Sequence, residues 1–406
     1  MTLSAATVMP SQHVLLRLVP AVLIIFFGYL AIATTLAVLP LQVHDSLGYG
    51  TFVAGIAIGI QSLLTLATRQ LAGSICDRKG AKPAVVMGGC CALAASLVYL
   101  WACVAPAGTG VLAAILVSRV ILGVGESFMM TGSLAWAVGL VGPAHTGKVM
   151  VWVGIGMYGA FAAGAPFGLW LFAGHFPGLD FAGGFAVVAL AMIAFSLLAT
   201  LVGLLIVPVK PHGGDRLPFT AVAVRIAPYG AGLALATLGF GAIAAFAALD
   251  FQSRGWAGAG LVQACFGGAY IVTRLIAGHW PDRHGGAKVA FFSLLLAACG
   301  QILLWLAPVP AAALAGAIMT GAGFSLVFPS FGIEAVKQVP PPSRGSALGA
   351  YVAFFDLGFA LAGPITGAIA GGWGYPAVFA AGAVCAVIAL LPALYAMTKD
   401  RAPPKR

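Results

Sequence analysis

The chain has 406 residues, of which 61% are hydrophobic and only 7% are Asp, Glu, Lys or Arg, against about 25% charged residues in an ordinary soluble domain. With a mean hydropathy of +1.06, so few charges cannot cover a water-exposed surface, which excludes a soluble enzyme, a nucleic-acid-binding domain and a disordered chain. The net charge of +10 is spread in short basic clusters between apolar runs, the pattern that orients a membrane protein; contact with anionic lipid headgroups is expected from it.

Residues 1–17 are mixed and polar, and the apolar run that follows, Val19 to Leu39, is long enough to span a bilayer. No small-residue cleavage site follows a short apolar core, so this run reads as a first transmembrane helix and not as a cleaved signal. About 20 apolar residues cross a bilayer as a helix. That ruler predicts twelve spans, near 18–40, 51–72, 83–104, 110–140, 147–173, 184–207, 225–249, 257–277, 289–308, 311–336, 345–371 and 375–397. The chain is thus expected to be an all-α membrane protein with an N-terminal six-helix bundle (1–207), a Pro- and Gly-containing linker (208–224) and a C-terminal six-helix bundle (225–406).

With a cytoplasmic N-terminus, 18 of the 20 Lys and Arg residues fall in inner segments. Arg69 and Arg274 are counted there, at the inner ends of the second and eighth spans. Arg254 alone is left outside, and Arg119 lies within a span. A wrong span count would scramble this bias, so it supports both the twelve spans and cytoplasmic termini.

The two halves repeat each other. Gly73-Ser-Ile-Cys-Asp77-Arg78-Lys-Gly80 follows the second span and Gly278-His-Trp-Pro-Asp282-Arg283-His-Gly285 follows the eighth, at a spacing of 205 residues. Gly123-Val-Gly125-Glu126-Ser127 in the fourth span matches Gly321-Ala-Gly323-Phe324-Ser325 in the tenth. Gly164-Ala-Pro166-Phe-Gly168 in the fifth parallels Gly363-Pro364-Ile-Thr-Gly367 in the eleventh. Two six-helix halves related by an axis along the membrane normal is an architecture of transporters.

Three charges stand out inside the spans: Arg119, Glu126 and Asp356. A charge at the centre of a bilayer costs at least about 2.5 kcal/mol, so each needs a partner or a water-filled cavity. Arg119 and Glu126 are two turns apart on one helix face, a stretch for a direct pair, but water can bridge them. Burial favours the protonated form of a carboxyl and a nearby guanidinium favours the ionised form. Motion that changes their separation therefore changes proton affinity. Glu126 reads as a proton carrier, as a substrate contact, or as a permanent partner of Arg119. Asp356 reads as a second proton carrier or as a bond to a neighbouring helix. The C-terminal half has Ala317 and Phe324 where the N-terminal half has Arg119 and Glu126, so the charged chemistry leans to the first half.

The seven cysteines have no metal-ligand spacing and read as small buried hydrophobes. The seven histidines fall in loops or at helix ends, and no phosphate-binding loop is present. No enzyme activity, metal or other cofactor, and no nucleic-acid partner, is expected.

Over its full length the chain resembles a major facilitator superfamily (MFS) transporter. The two G-x-x-x-D-R-x-G loops resemble its motif A, and Arg119-Val-Ile-Leu-Gly123-Val-Gly125 its motif B. Gly164-Ala-Pro166-Phe-Gly168 resembles motif C, associated with drug:proton antiporters, with Ala165 between a Gly and a Pro that are usually adjacent. Ser118-Arg119 through Glu126-Ser127-Phe, then Thr131-Gly132-Ser133, Trp136 and Tyr158-Gly159, is similar to the YhhS/YfcJ-like, arabinose-efflux-like branch.

The resemblance implies the MFS fold, a monomer in a bacterial-type inner membrane, and alternating access with a small-molecule substrate and protons as partners. It implies proton-coupled efflux of a small organic solute such as a sugar or drug-like compound. Proton-coupled uptake and lipid flipping on the same fold stay open. In this fold Asp77 is expected to face the start of the eleventh span near Arg344, and Asp282 the start of the fifth near Lys148, where a carboxylate meets free N–H groups. Gly73, Asp77, Arg78, Gly80, Gly278, Asp282, Arg283 and Gly285 are then gating loops, and Gly164, Pro166, Gly363 and Pro364 hinge positions. The substrate cavity is expected among Tyr29, Arg119, Glu126, Met130, Trp136, Tyr158, Phe240 and Phe324.

Overall fold

A computed structural model describes residues 11–104, 109–142, 146–174, 183–209, 219–340 and 344–401. Helices α1 (Ser11–Leu41), α2 (Thr51–Lys79), α3 (Ala81–Val104), α4 (Thr109–Val141), α5 (Thr146–Ala173) and α6 (Gly183–Leu205) form one bundle. The second bundle holds α7 (Phe219–Ser253), α8 (Gly260–Ala277), the single-turn α9 (Trp280–His284), α10 (Gly286–Trp305), α11 (Pro310–Lys337), α12 (Arg344–Trp373), α13 (Tyr375–Ile388) and α14 (Leu390–Arg401). Among the described residues twelve segments are long and apolar enough to cross a membrane, α13 and α14 together supplying the last. A helix keeps most backbone hydrogen bonds within its own segment, the condition that hydrocarbon imposes on a span, and internal prolines such as Pro166 and Pro364 interrupt that ladder only locally. Helix α7 begins at Phe219, ahead of the boundary at 225 expected from sequence, and residues 210–218 of the expected linker lie outside the described residues.

The repeat is visible in the packing. Within the bundles α3 pairs with α4 as α10 does with α11, and α2 packs on α4 as α8 does on α11. Gly80 and Gly285, the last residues of the repeated loops, take φ of +90° and +89°. Only glycine enters that region freely, which is why both loops end on it.

The bundles meet along two equivalent seams, α2 against α12 and α5 against α8, with α1 and α7 on the axis between them. Both seams close backbone on backbone in the half of the molecule away from the Asp77 and Asp282 turns. A side chain on Gly55 would run into the Gly363 carbonyl, one on Gly59 into Ala360 and Pro364, and one on Gly260 into Pro166. Thr51 Oγ1 donates to the Gly367 carbonyl at 2.9 Å. Small residues permit this approach, and in lipid close packing is the main attraction between helices. Of the four positions expected as hinges, three sit in the seams, Gly363 on Gly55, Pro364 on Gly59 and Pro166 on Gly260, while Gly164 packs on Ala33 and Thr34 of its own bundle.

Gly55→Val is expected to hold the α2–α12 seam open. Spin labels at Phe52 and Trp373, both exposed at that end, in a background without native cysteines, should report a longer and broader distance distribution than Gly55 gives. An unchanged distribution would show that the seam is not limited by this contact.

Candidate functional site

Two turns of α2 and two of α4 build a buried polar relay at mid-span. Arg119 is wholly buried, with Nη1 donating to Gln61 Oε1 at 2.7 Å and Nε to the Ala57 carbonyl at 3.3 Å. Gln61 Nε2 donates to Glu126 Oε2 at 2.8 Å, and Thr65 Oγ1 lies 3.1 Å from the same oxygen. The Gln61 amide is therefore the bridge between Arg119 and Glu126. An amide does this without charge, accepting at oxygen and donating at nitrogen. Tyr29 of α1 places its phenol beside Glu126.

The second carboxylate is held from the other bundle. Asp356, buried on α12, accepts from Arg69 Nε of α2 at 2.5 Å. The Arg69 side chain is only 10% exposed. Its Cα lies nearer the Asp77 end than Asp356 does, and the long side chain runs back toward mid-span. Tyr29 lies in the field of Arg69, Asp356 and Glu126 together, so both carboxylates belong to one polar cluster.

Across the bundle boundary stands an aromatic cluster. Phe240 stacks on Phe266 with ring centroids 4.8 Å apart, and Tyr158 on Tyr270 at 3.7 Å. Phe324 lies within 6.2 Å of Tyr158 and 6.0 Å of Phe240. Phe161 joins the clusters, 5.2 Å from Phe240 and 5.9 Å from Tyr29.

The repeat relates the two clusters residue by residue. Gly28-Tyr29 aligns with Gly239-Phe240, Gln61 with Phe266, Thr65 with Tyr270, Glu126 with Phe324, and Asp356 with Tyr158. Thr68-Arg69-x-x-Ala72-Gly73 aligns with Thr273-Arg274-x-x-Ala277-Gly278. One symmetric frame thus carries polar groups on one side of its axis and aromatic rings on the other.

The Major Facilitator Superfamily model matches residues 21–257 and 229–406. The chain belongs to this superfamily. An uncharacterized MFS-type transporter of Burkholderia pseudomallei (strain 1106a) is 43% identical over 385 residues, 94% of this chain and 92% of its own length. A solved bacterial homologue of the human lysosomal transporter Spinster, inward-facing and occupied, superposes with a TM-score of 0.74 at 15% identity, over 98% of this chain and 100% of that one. A D-xylose–proton symporter gives 0.73 at 15% identity, covering 93% of this chain and 97% of that one. The protein is an MFS transporter of twelve spans, a secondary transporter of small molecules.

Within this MFS frame the residues singled out from sequence divide into three groups. Tyr29, Glu126 and Asp356 meet in the polar cluster with Arg119 behind them, and Tyr158, Phe240 and Phe324 meet in the aromatic one. Met130 is half-buried one turn beyond Glu126. Trp136 belongs to neither. Its indole donates to the Val207 carbonyl at 2.7 Å, which fastens the end of α4 to the segment after α6. Of the loop residues, Asp77, Arg78, Asp282 and Arg283 are exposed at one end of the molecule, as is Lys148. The side chain of Arg344 lies outside the described residues.

Arg69 and Arg274 are buried charges that the sequence reading puts at the inner surface. The sequence count of three charges inside the spans is too low. Both arginines were read as inner-surface charges, and both point inward and are largely buried. Their signal was present, since the repeated loop extends four residues further back to an Arg in each half. Glu334, buried on α11 and 2.8 Å from Lys337, also escaped notice.

Asp356→Asn leaves a buried guanidinium that cannot discharge and is expected to cost about 3–5 kcal/mol. Arg69→Gln should cost less, because Asp356 can then take up a proton. The double variant should be more stable than Asp356→Asn alone. Thermal unfolding in nanodiscs ranks the three; equal, additive losses would mean that the two side chains do not act as a pair.

Proposed function

We propose that the protein is a proton-coupled exporter of a small organic solute, working by alternating access in the bacterial inner membrane with both termini cytoplasmic. The observation that carries this reading is the polar cluster, in which one carboxylate is tied across the bundle boundary. Asp356 in its ionised form holds α12 to α2 through Arg69. Drawing the bundles apart there would strand two buried charges. Protonating Asp356 removes the attraction and leaves Arg69 to reach the surface with its long side chain.

Glu126 is the second proton acceptor, poised by the relay rather than by a direct cation. A shift of α4 against α2 would change how many donors its carboxylate accepts, and so its affinity for a proton. The basic residues of the loops support a cytoplasmic Asp77 end. On that orientation the closed seams lie on the outer side of the membrane. Export is supported by the motif C-like Gly164-Ala-Pro166 and by the likeness to the arabinose-efflux-like branch. Uptake by symport would use the same groups, and only the relative direction of proton and solute separates the two.

Proteoliposomes loaded with a pH-sensitive dye provide the test, with sugars and a panel of charged and neutral drug-like compounds added on one side. The expected result is proton movement opposite to the solute in the wild type and no solute-driven proton movement in Glu126→Gln. Movement in the same direction would make the protein a symporter. Solute flux with no proton movement in the wild type would sink the proton-carrier roles.

A further inference from the structure

Arg274 is a buried cation whose symmetric counterpart has a carboxylate and which has none. In the repeat, Arg69 corresponds to Arg274, and Asp356 to Tyr158. The first pair is an ion pair across the α2–α12 seam. The second, across the α5–α8 seam, offers Arg274 only phenols. Its Nη2 donates to the Tyr270 hydroxyl at 2.5 Å, and its charge lies 5.2 Å from the ring of the same residue. Tyr158 and Tyr351 lie within its field. Among the described residues no carboxylate is within salt-bridge distance of Arg274. It is 6% exposed, and its Nε–H is buried without an acceptor.

A phenol is a poor counter-ion. A buried donor left unpaired costs about 1–3 kcal/mol, more when it is charged. An anion arriving with the substrate would supply what the repeat has removed. A guanidinium presents its donors in a flat fork that matches a carboxylate, and phenol hydroxyls can donate to the same oxygens. Tyr158 stacks on Tyr270, and Phe240, Phe266 and Phe324 continue the apolar wall from there.

We propose that Arg274, with Tyr158 and Tyr270, binds the carboxylate of an organic acid whose apolar body lies against Phe240, Phe266 and Phe324. The inference rests on the transport reading above and narrows its cargo from a small organic solute to an organic carboxylate. The division of labour follows: the polar cluster at the α2–α12 seam handles protons, and the aromatic cluster at the α5–α8 seam, with its lone cation, handles the anion.

The test compares acids with their uncharged amides, using benzoate against benzamide, cinnamate against cinnamamide, and hexanoate against hexanamide. The full-length protein is placed in nanodiscs of phosphatidylcholine alone, so that no anionic lipid competes for the site. Binding is read as a saturable rise in unfolding temperature. At least one acid should bind where its amide does not, and Arg274→Gln should weaken that acid by about tenfold to a hundredfold. Tyr158→Asp places a carboxylate where the repeat has Asp356. It should pair with Arg274 and weaken the same acid in a protein that still folds, and it serves in place of Arg274→Gln should that variant not fold. Amides binding as well as acids, or an acid binding undiminished in both variants, would overturn the site.

The two readings fail separately. Arg274-dependent acid binding in a protein that moves no protons keeps the anion site and removes proton coupling. Glu126-dependent proton flux driven by a neutral or cationic solute, with no acid bound in preference to its amide, keeps proton coupling and removes the anion site.

Discussion

A guanidinium inside a bilayer must find a carboxylate, a neutral oxygen acceptor, water or a headgroup, and Arg69 finds Asp356 on the opposite bundle. The rest of the site is arranged around that pairing. It fixes α2 and α12 near mid-span, where their backbones begin to converge on Gly59 and Ala360. It also keeps Asp356 close enough to Tyr29 and Glu126 to share their field. The closed seams alone would let the bundles slide, because glycine faces pack without directional bonds. An ion pair at the end of the close-packed stretch adds a fixed point, and one that a single proton can release.

The two bundles share a frame but not a chemistry. A strictly symmetric transporter would have two relays or two aromatic walls. Here Gln61, Thr65 and Glu126 are answered by Phe266, Tyr270 and Phe324, which adds ring surface at every position and leaves a hydrogen-bonding side chain only at Tyr270. The exchange extends to the seams, where Asp356 is answered by Tyr158. Arg274 is the exception, a polar residue kept where its neighbours were replaced. A charge retained without its partner is costly, and that cost is the physical ground for reading it as a binding group and not as packing.

The architecture was legible because hydrocarbon imposes a simple length rule. Twelve apolar runs, the matched loops and the basic bias led to twelve spans, and the spans lie where the runs do. The site was legible in part. Glu126 and Asp356 stood out as charges within apolar stretches, and the aromatic residues 158, 240 and 324 were already suspected. The partners were not legible. Arg69 and Arg274 fit the positive-inside pattern so well that their position was explained before their reach was considered. A side chain as long as arginine can start near the surface and end at mid-span, which a count of residues along the helix does not show. The bridging role of Gln61 depends on two helices lying side by side, and nothing in its own spacing announced it. Trp136 erred in the other direction. An aromatic residue on a cavity-lining helix looked like a substrate contact, but its indole N–H is spent on the Val207 carbonyl.

The asymmetry also bears on how the two clusters communicate. Phe161 touches both Phe240 and Tyr29, so a ligand that moved the aromatic wall would press on the phenol beside Glu126. Close-packed rings transmit displacement because they have no room to absorb it. Under the proposed mechanism, coupling from cargo to Glu126 then needs no direct contact between them. It needs Phe161 to have two positions, one with the aromatic wall vacant and one with it filled, and each position to present Tyr29 differently to the carboxylates. Direct contact would instead require the cargo to reach across the axis into the relay. There the Gln61, Thr65 and Arg119 side chains already occupy the space around Glu126 with bonds to one another.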